Sequence, residues 1–202
     1  MTISPDTLRF LQHENARLTD ENQHLREEIT VLRKAIHALI NLQETLEQVS
    51  PESDVIALIY SILSAALDAV DSDNGSLLLR DEETNELVFV EVLGPHREEL
   101  IGYRMPAGEG VVGWSVANRK PLLVPDASQD SRFSPLVDKT IGFITASLIC
   151  VPLLHGERAL GAIEVVNTRS GKPFRQEDLE IMQLLSHLAS LVLVQAEGSA
   201  TR

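Results

Sequence analysis

Six leucines, at positions 11, 18, 25, 32, 39 and 46, stand seven residues apart at the start of the chain. A repeat of seven keeps one apolar stripe on an α-helix and commits that stripe to a partner helix. With these leucines at the d positions, the a positions are Leu8, Asn15, Asn22, Ile29, Ile36 and Gln43. Leucine at d with isoleucine or asparagine at a favours a parallel two-stranded coiled coil. A buried asparagine pairs best with its own copy, so Asn15 and Asn22 would set register and strand number at some cost in stability. The seam is therefore expected to run through Leu11, Asn15, Leu18, Asn22, Leu25, Ile29, Leu32, Ile36 and Leu39. Its flanks agree, since Glu21 would face Arg26 and Glu28 would face Arg33 of the partner. Each such exposed pair is worth about 0.5 kcal/mol and opposes other registers. The alternative is one amphipathic helix lying on the rest of the chain, a face that Asn15 and Asn22 would spoil.

From about residue 35 the flanking positions turn apolar, at Ala35, Ile40 and Leu42, which makes the stripe too wide for two helices. A second helix is then predicted over "PESDVIALIYSILSAALDAV", with Ser50 as N-cap, Pro51 at the first position and Glu52 and Asp54 in the first turn. A last helix, "RQEDLEIMQLLSHLASLVLVQA", is apolar over most of its circumference and needs cover on two sides. One side can be a sheet and the other the same helices of a second subunit.

Between these helices the period changes to two. "GSLLLRDEETNELVFVEVLG" reads as a hairpin turning at 82–85, "PLLVP" as a short strand, and "ASLICVPLLHGERALGAIEVVN" as a hairpin turning at 155–157. "DASQDSRFSPLVDKTIG" is a long connection with some helical turns. The order, helix, two strands, helix, strand, long loop, two strands, helix, predicts an α+β domain with an antiparallel sheet and helices on both faces.

A net charge of −13 with no basic stripe excludes nucleic acid as a direct partner. No run approaches the roughly 20 uninterrupted apolar residues of a membrane span, and no signal peptide is visible, so the expectation is a cytoplasmic protein without a membrane partner. The single cysteine, Cys150, can form no internal disulfide.

Five stretches, "NGSLLLRDEETNEL", "GEGVVGWSVANRKPLLVPD", "DASQDSRF", "ASLICVPLLHGERALGAIEVVN" and "PFRQEDLEIMQLLSHLAS", stand in an order and at spacings that resemble the GAF sensory domains, over roughly residues 36–196. The resemblance implies a six-stranded antiparallel sheet flanked by helices, a ligand cup on one face, and dimerisation through the first and last helices. It divides the chain into a coiled-coil signalling helix over 1–49, a GAF domain over 36–196 that overlaps it, and a polar tail over 197–202. GAF domains usually precede an output module, and none follows here, so any output is expected in a protein partner in trans.

The candidate sites carry alternatives. Gly108, Gly110 and Gly113 surround a helix start whose free amides and dipole suit an anion. The same glycines would also let the helix lie close to the sheet. Glu109 stands at that helix start and would compete with an anionic ligand for its amides. In cyclic-nucleotide-binding relatives this region faces the phosphate, and an associated signature runs Asn-Lys, Phe, Asp-Glu. Asn167, Phe174 and Asp178 match it, but Thr168 and Leu179 replace the lysine and the glutamate, so the signature's lysine–aspartate bridge cannot form. The matching residues can serve structure instead: a strand end, a core plug and a first-turn charge. Arg132, in a loop with Asp126 and Asp130, would pair with a ligand acid or with either aspartate to hold the loop shut. Tyr103, Trp114 and Phe133, with Val111 and Glu164, complete the candidate ligand set.

Bilin-carrying relatives attach the chromophore to a cysteine usually followed by histidine, whereas Val151 follows Cys150. Sulfoxide-reducing relatives need more than one cysteine. The histidines, at 13, 24, 37, 96, 155 and 187, are scattered, with no metal-ligand spacing. No covalent chromophore, haem, metal or catalysis is expected. The reading is a dimeric sensor that binds an unidentified small molecule, with a coiled-coil scaffold carrying a vestigial cup, or a cyclic-nucleotide-binding protein, as alternatives.

Overall fold

The computed structural model of the chain describes residues 5–48 and 55–200, in two compact units, residues 1–37 and 38–202. The proposed cap at Ser50, with Pro51, Glu52 and Asp54, lies outside the described residues.

Helix α1 spans Pro5–Gln48. Leu11, Leu18, Leu25, Ile29, Leu32 and Ile36 each expose roughly half of their surface on the first unit, and Asn15 and Asn22 are exposed in the same stripe. Short-range polar contacts support the helix from outside that stripe: Arg17 meets Glu14 at 2.6 Å and Glu21 at 3.2 Å. The Thr19 hydroxyl donates to the Asn15 carbonyl at 2.7 Å.

The second unit is built on a six-stranded antiparallel sheet. Its strands are β1 (Ser72–Asp81), β2 (Glu86–Leu93), β3 (Arg104–Pro106), β4 (Leu122–Val124), β5 (Leu148–His155) and β6 (Arg158–Thr168), in the spatial order β3-β2-β1-β6-β5-β4. Both expected hairpins form, β1 to β2 and β5 to β6. Asn85 closes the first in the left-handed region, φ 56°, its amide donating to the Asp81 carbonyl at 2.9 Å. The sixth strand, β3, was not legible as a strand from its own residues. It is three residues long and ends in proline, which suits an edge position, and it is held by pairing with Glu86, Leu87 and Val88. Arg104 anchors it further, its guanidinium donating to Asp81 at 2.8 Å and Glu86 at 2.9 Å.

Alternation along the central strands makes two apolar layers. Helices α2 (Val55–Ala69) and α6 (Gln176–Ala200) pack on each other and on one face of the sheet. Ile62, Leu63, Met182, Leu185 and Ala189 are fully buried there, alongside Ile149 and Ile163. Burying a side chain of that size stabilises the fold by about 1.5–3 kcal/mol. Leu184 and Leu191 look away from that layer, half exposed, which is where the sequence left surplus apolar surface. Among the described residues α6 is the helix long and apolar enough to cross a bilayer, and its most apolar stripe faces the sheet. Glycine is required where β6 crosses β1: a Cβ on Gly161 would lie 1.9 Å from the Leu78 carbonyl oxygen.

The other face carries α4 (Gly110–Asn118) over a core that includes Leu78, Val112, Val116, Leu122, Cys150 and Ala162. Two short helices, α3 (Arg97–Leu100) and α5 (Leu136–Ile141), and a 3-10 turn at Ala127–Gln129 lie in the connections beside it.

Candidate functional site

On the α4 face the sheet is only partly covered, and the remainder is a cup of about 170 Å³. Its floor comes from β1, β5 and β6, and includes Ser76, Leu148, Glu164 and Val166. The first turn of α4, at Gly110, Val111 and Val112, makes one wall. The segments around α3 and α5 make the others, with Pro95, His96 and Tyr103 from the first and Phe133, Val137 and Phe143 from the second. These two segments meet where the His96 and Phe143 rings pack edge to face, 5.8 Å between centroids. Phe89 and Tyr103 make a second such pair at 6.0 Å.

The glycines divide their work. Gly113 is the packing glycine, since a Cβ there would come within 2.6 Å of the Gly108 backbone, so its contact is with the turn before the helix. At Gly110 a Cβ would make only ordinary contacts, 3.6 Å to Met105 Cε and 3.9 Å to Ser134 Cβ, so the residue is selected by backbone conformation, φ +68°. Glu109 stands at the N-cap in an extended conformation, yet its side chain makes no cap hydrogen bond. It lines the cup instead, which removes the expected competition for the helix amides.

Of the candidate ligand set, Tyr103, Gly110, Val111, Phe133 and Glu164 reach the cup, while Trp114, Asp126, Asp130 and Arg132 do not. The reason is local chemistry. Asp130 accepts both the Arg132 backbone amide and its Nε at 2.9 Å, and the guanidinium holds that carboxyl below the usual range. The same guanidinium lies 5.0 Å from the centre of the Trp114 ring. Asp126 caps the 3-10 turn, accepting from the Ser128 amide at 3.0 Å and its hydroxyl at 2.7 Å.

The partial signature also lies outside the cup. Asn167, at φ 55°, accepts from the Ala146 and Ser147 amides at 2.8 and 3.2 Å and donates to the Ile144 carbonyl at 2.8 Å, pinning the segment that leads into β5. Phe174 is buried. Asp178 accepts from the Arg175 amide at 2.8 Å at the start of α6.

Glu164 is the unusual group. It sits in the middle of β6, paired in register with Ser76 and Cys150, and is half-buried because the cup leaves one side of it open to water. Among the described residues its carboxylate has no hydrogen-bond partner. Burial pushes its pKa up to about 7, and the nearby Asp138 carboxylate adds to the shift. Asp138 itself is satisfied, accepting from the Thr145 amide at 2.7 Å and hydroxyl at 2.9 Å. His96 Nδ1 is buried without a hydrogen-bond partner, and its nearest carboxylate oxygen, on Glu99, is 3.6 Å away. No lysine or arginine lines the cup among the described residues, and no group of metal-ligating side chains occurs among them either. His96, Asp138 and Thr145 stand in segments without periodicity, and nothing in the sequence marks them as cup residues. Glu164 stands as the charged residue inside the apolar run "AIEVV". Cys150 lies under α4, fully buried, and burial pushes its thiol up.

A six-stranded antiparallel sheet with two helices on one face and a loop-walled cup on the other defines a small-molecule-sensing regulatory domain of the GAF type. The GAF domain model matches residues 54–193, and the chain belongs to the GAF domain family. It is 27% identical over 164 residues to the dual 3',5'-cyclic-AMP and -GMP phosphodiesterase 11A of Takifugu rubripes, a match covering 76% of this chain and 18% of that protein. The chain thus spans under a fifth of the length of that relative. Among solved structures it resembles the GAF domain of the Acinetobacter phosphoenolpyruvate-protein phosphotransferase, with a TM-score of 0.68 and 18% identity, over 86% of this chain and 98% of the other. The free methionine-R-sulfoxide reductase of Neisseria meningitidis aligns with a TM-score of 0.65 and 21% identity, over 82% and 93% of the two chains. At these identities the structures show the shared fold.

Proposed function

We propose that the protein is a non-catalytic, dimeric sensor whose cup binds a small molecule and whose α1 helices pass the resulting change to a protein partner in trans, in the reducing environment of the cytoplasm. The cup carries the reading: apolar walls from three separate segments converge on a few polar groups that the protein leaves unsatisfied, as ligand sites do. A ligand that bridges the α3 and α5 segments would bias the packing of the whole face. The heptad stripe supports a parallel homodimer, because half-exposed leucine and isoleucine along one helix need a partner and Asn15 and Asn22 favour a second copy. A single buried thiol with a raised pKa, and no cluster of metal-ligating groups among the described residues, support a role without catalysis.

The relative's name makes cyclic nucleotides the first compounds to try. The cup argues against tight binding, since its wall brings carboxylates and no described lysine or arginine to meet a phosphate, and we expect any Kd to be weaker than about 10 μM. Calorimetry giving nanomolar affinity for cyclic AMP or cyclic GMP would reverse that ranking.

The sensor reading is tested by native mass spectrometry of the purified protein, followed by thermal melts with each co-purifying compound. A ligand of the folded state must raise the melting temperature. If no compound co-purifies and a metabolite library leaves the melt unchanged, a coiled-coil scaffold with a vestigial cup becomes the better account. Sedimentation at micromolar concentration should show a dimer, and a monomer would remove the proposed route of signalling.

A further inference from the structure

The balance of groups in the cup restricts what it can hold. An anion brought to the Ser76 and Glu164 floor would face Glu164, Asp138 and Glu109 with no described arginine or lysine to offset them. The one arginine of the neighbouring loop, Arg132, is already engaged by Asp130 and Trp114. Asp138 is also engaged, by Thr145. That leaves Glu164 as a carboxylate with acceptor capacity and no donor, at the bottom of an apolar cup. Water reaches this carboxylate through the open side of the cup, and a ligand that supplies an N–H in its place gains a charge-assisted hydrogen bond in apolar surroundings, where such a bond is stronger than in water. The size is limited as well, because a dry apolar cavity of about 150 Å³ accommodates benzene and this cup measures about 170 Å³.

Resting on the reading of the cup as the sensing site, we propose that it takes a compact, ring-sized molecule presenting a nitrogen hydrogen-bond donor, neutral or cationic, to the Glu164 carboxylate, and that it excludes anions. An amidine, an amine or an amino-substituted heteroaromatic ring meets this description. The ring packs against Phe89, Tyr103, Phe133 and Phe143, and two N–H groups of an amidine match the two carboxylate oxygens.

Four probes of nearly one shape separate the possibilities: benzamidine, benzamide, toluene and benzoate, titrated into the full chain by calorimetry at about pH 8. Benzamidine is expected to bind with a Kd of about 1 mM or tighter, roughly tenfold tighter than benzamide or toluene, and benzoate should not bind at about 10 mM. Glu164→Gln should weaken benzamidine at least about tenfold and leave benzamide within about threefold, since glutamine keeps the shape and removes the charge. Lowering the pH from about 8 to about 5.5 should weaken benzamidine on the native chain and not on the Glu164→Gln chain. The other titratable groups lining the cup, His96, Tyr103, Glu109 and Asp138, and Cys150 beside Glu164 on β5, are common to both proteins.

Toluene or benzoate binding as tightly as benzamidine overturns the donor chemistry and leaves the cup a sensing site. Benzamidine binding undiminished in Glu164→Gln overturns the role of Glu164. No binding by any of the four overturns the proposal, whereas the reading of the cup as the sensing site falls only if co-purification and the metabolite-library melts also find no ligand.

Discussion

Replacing Glu164 by glutamine should stabilise the protein above neutral pH and leave it nearly unchanged in acid. The carboxyl titrates at about 7 in the folded protein against its ordinary 4.5, because burial between β1 and β5 disfavours its charge and Asp138 adds repulsion. A raised carboxyl pKa means that the folded state binds the proton more tightly than the unfolded one. The stability this proton supplies is complete below about pH 4.5, declines as the pH rises through about 7, and is gone above that. At about 1.4 kcal/mol per pH unit the interval amounts to about 3 kcal/mol, and the open side of the cup, which lets water reach the carboxylate, brings the expectation to about 2–3 kcal/mol. Glutamine avoids the penalty, so the variant should exceed the native protein by that margin at about pH 8.5 and match it within about 1 kcal/mol at about pH 4.5. Urea denaturation of both proteins at several pH values gives the difference directly, and groups common to both cancel in it. Two stability curves that run parallel across this range would refute the argument, since the carboxyl would then titrate alike in the folded and unfolded chains.

Other sites make separate claims. Gly161→Ala should cost more than about 3 kcal/mol or prevent folding, because its methyl would strike the Leu78 carbonyl, whereas Gly110→Ala should cost only about 1–2 kcal/mol, the strain of a left-handed alanine. Equal melting temperatures for the two variants would contradict that ordering. Arg97→Met removes the cation that donates to the buried Glu91 carboxylate at 3.0 Å, leaving it the Val92 amide at 3.0 Å, and should destabilise by about 1–3 kcal/mol, largely recovered by adding Glu91→Gln; a double variant no more stable than Arg97→Met speaks against a buried charge without its cation as the cause. Cys150 should react with a soluble thiol reagent only on unfolding, given its burial and raised pKa, and rapid labelling of the native protein would show that α4 opens readily.

What the chain reveals by itself lies in its short-range patterns. Leucines seven apart specify a helix with one apolar stripe, and the short apolar runs in "GSLLLR" and "ALGAIEVV" suit strands buried on both faces. Turn residues such as Asn85 and Gly156 join those strands into hairpins. These features depend on neighbours within a few residues, so period and turn chemistry suffice to read them. Tertiary structure decided the rest. The strand at Arg104–Pro106 has no pattern of its own and exists because β2 offers an unpaired edge. Arg132 resembles a ligand residue in sequence, yet an aspartate two positions away captures it before any cup can. Glu164, His96 and Asp138 lie far apart along the chain and converge only because β6, α3 and α5 meet over the same face of the sheet. A cup's membership is a property of that long-range packing, and no local rule encodes which loop side chains will turn inward.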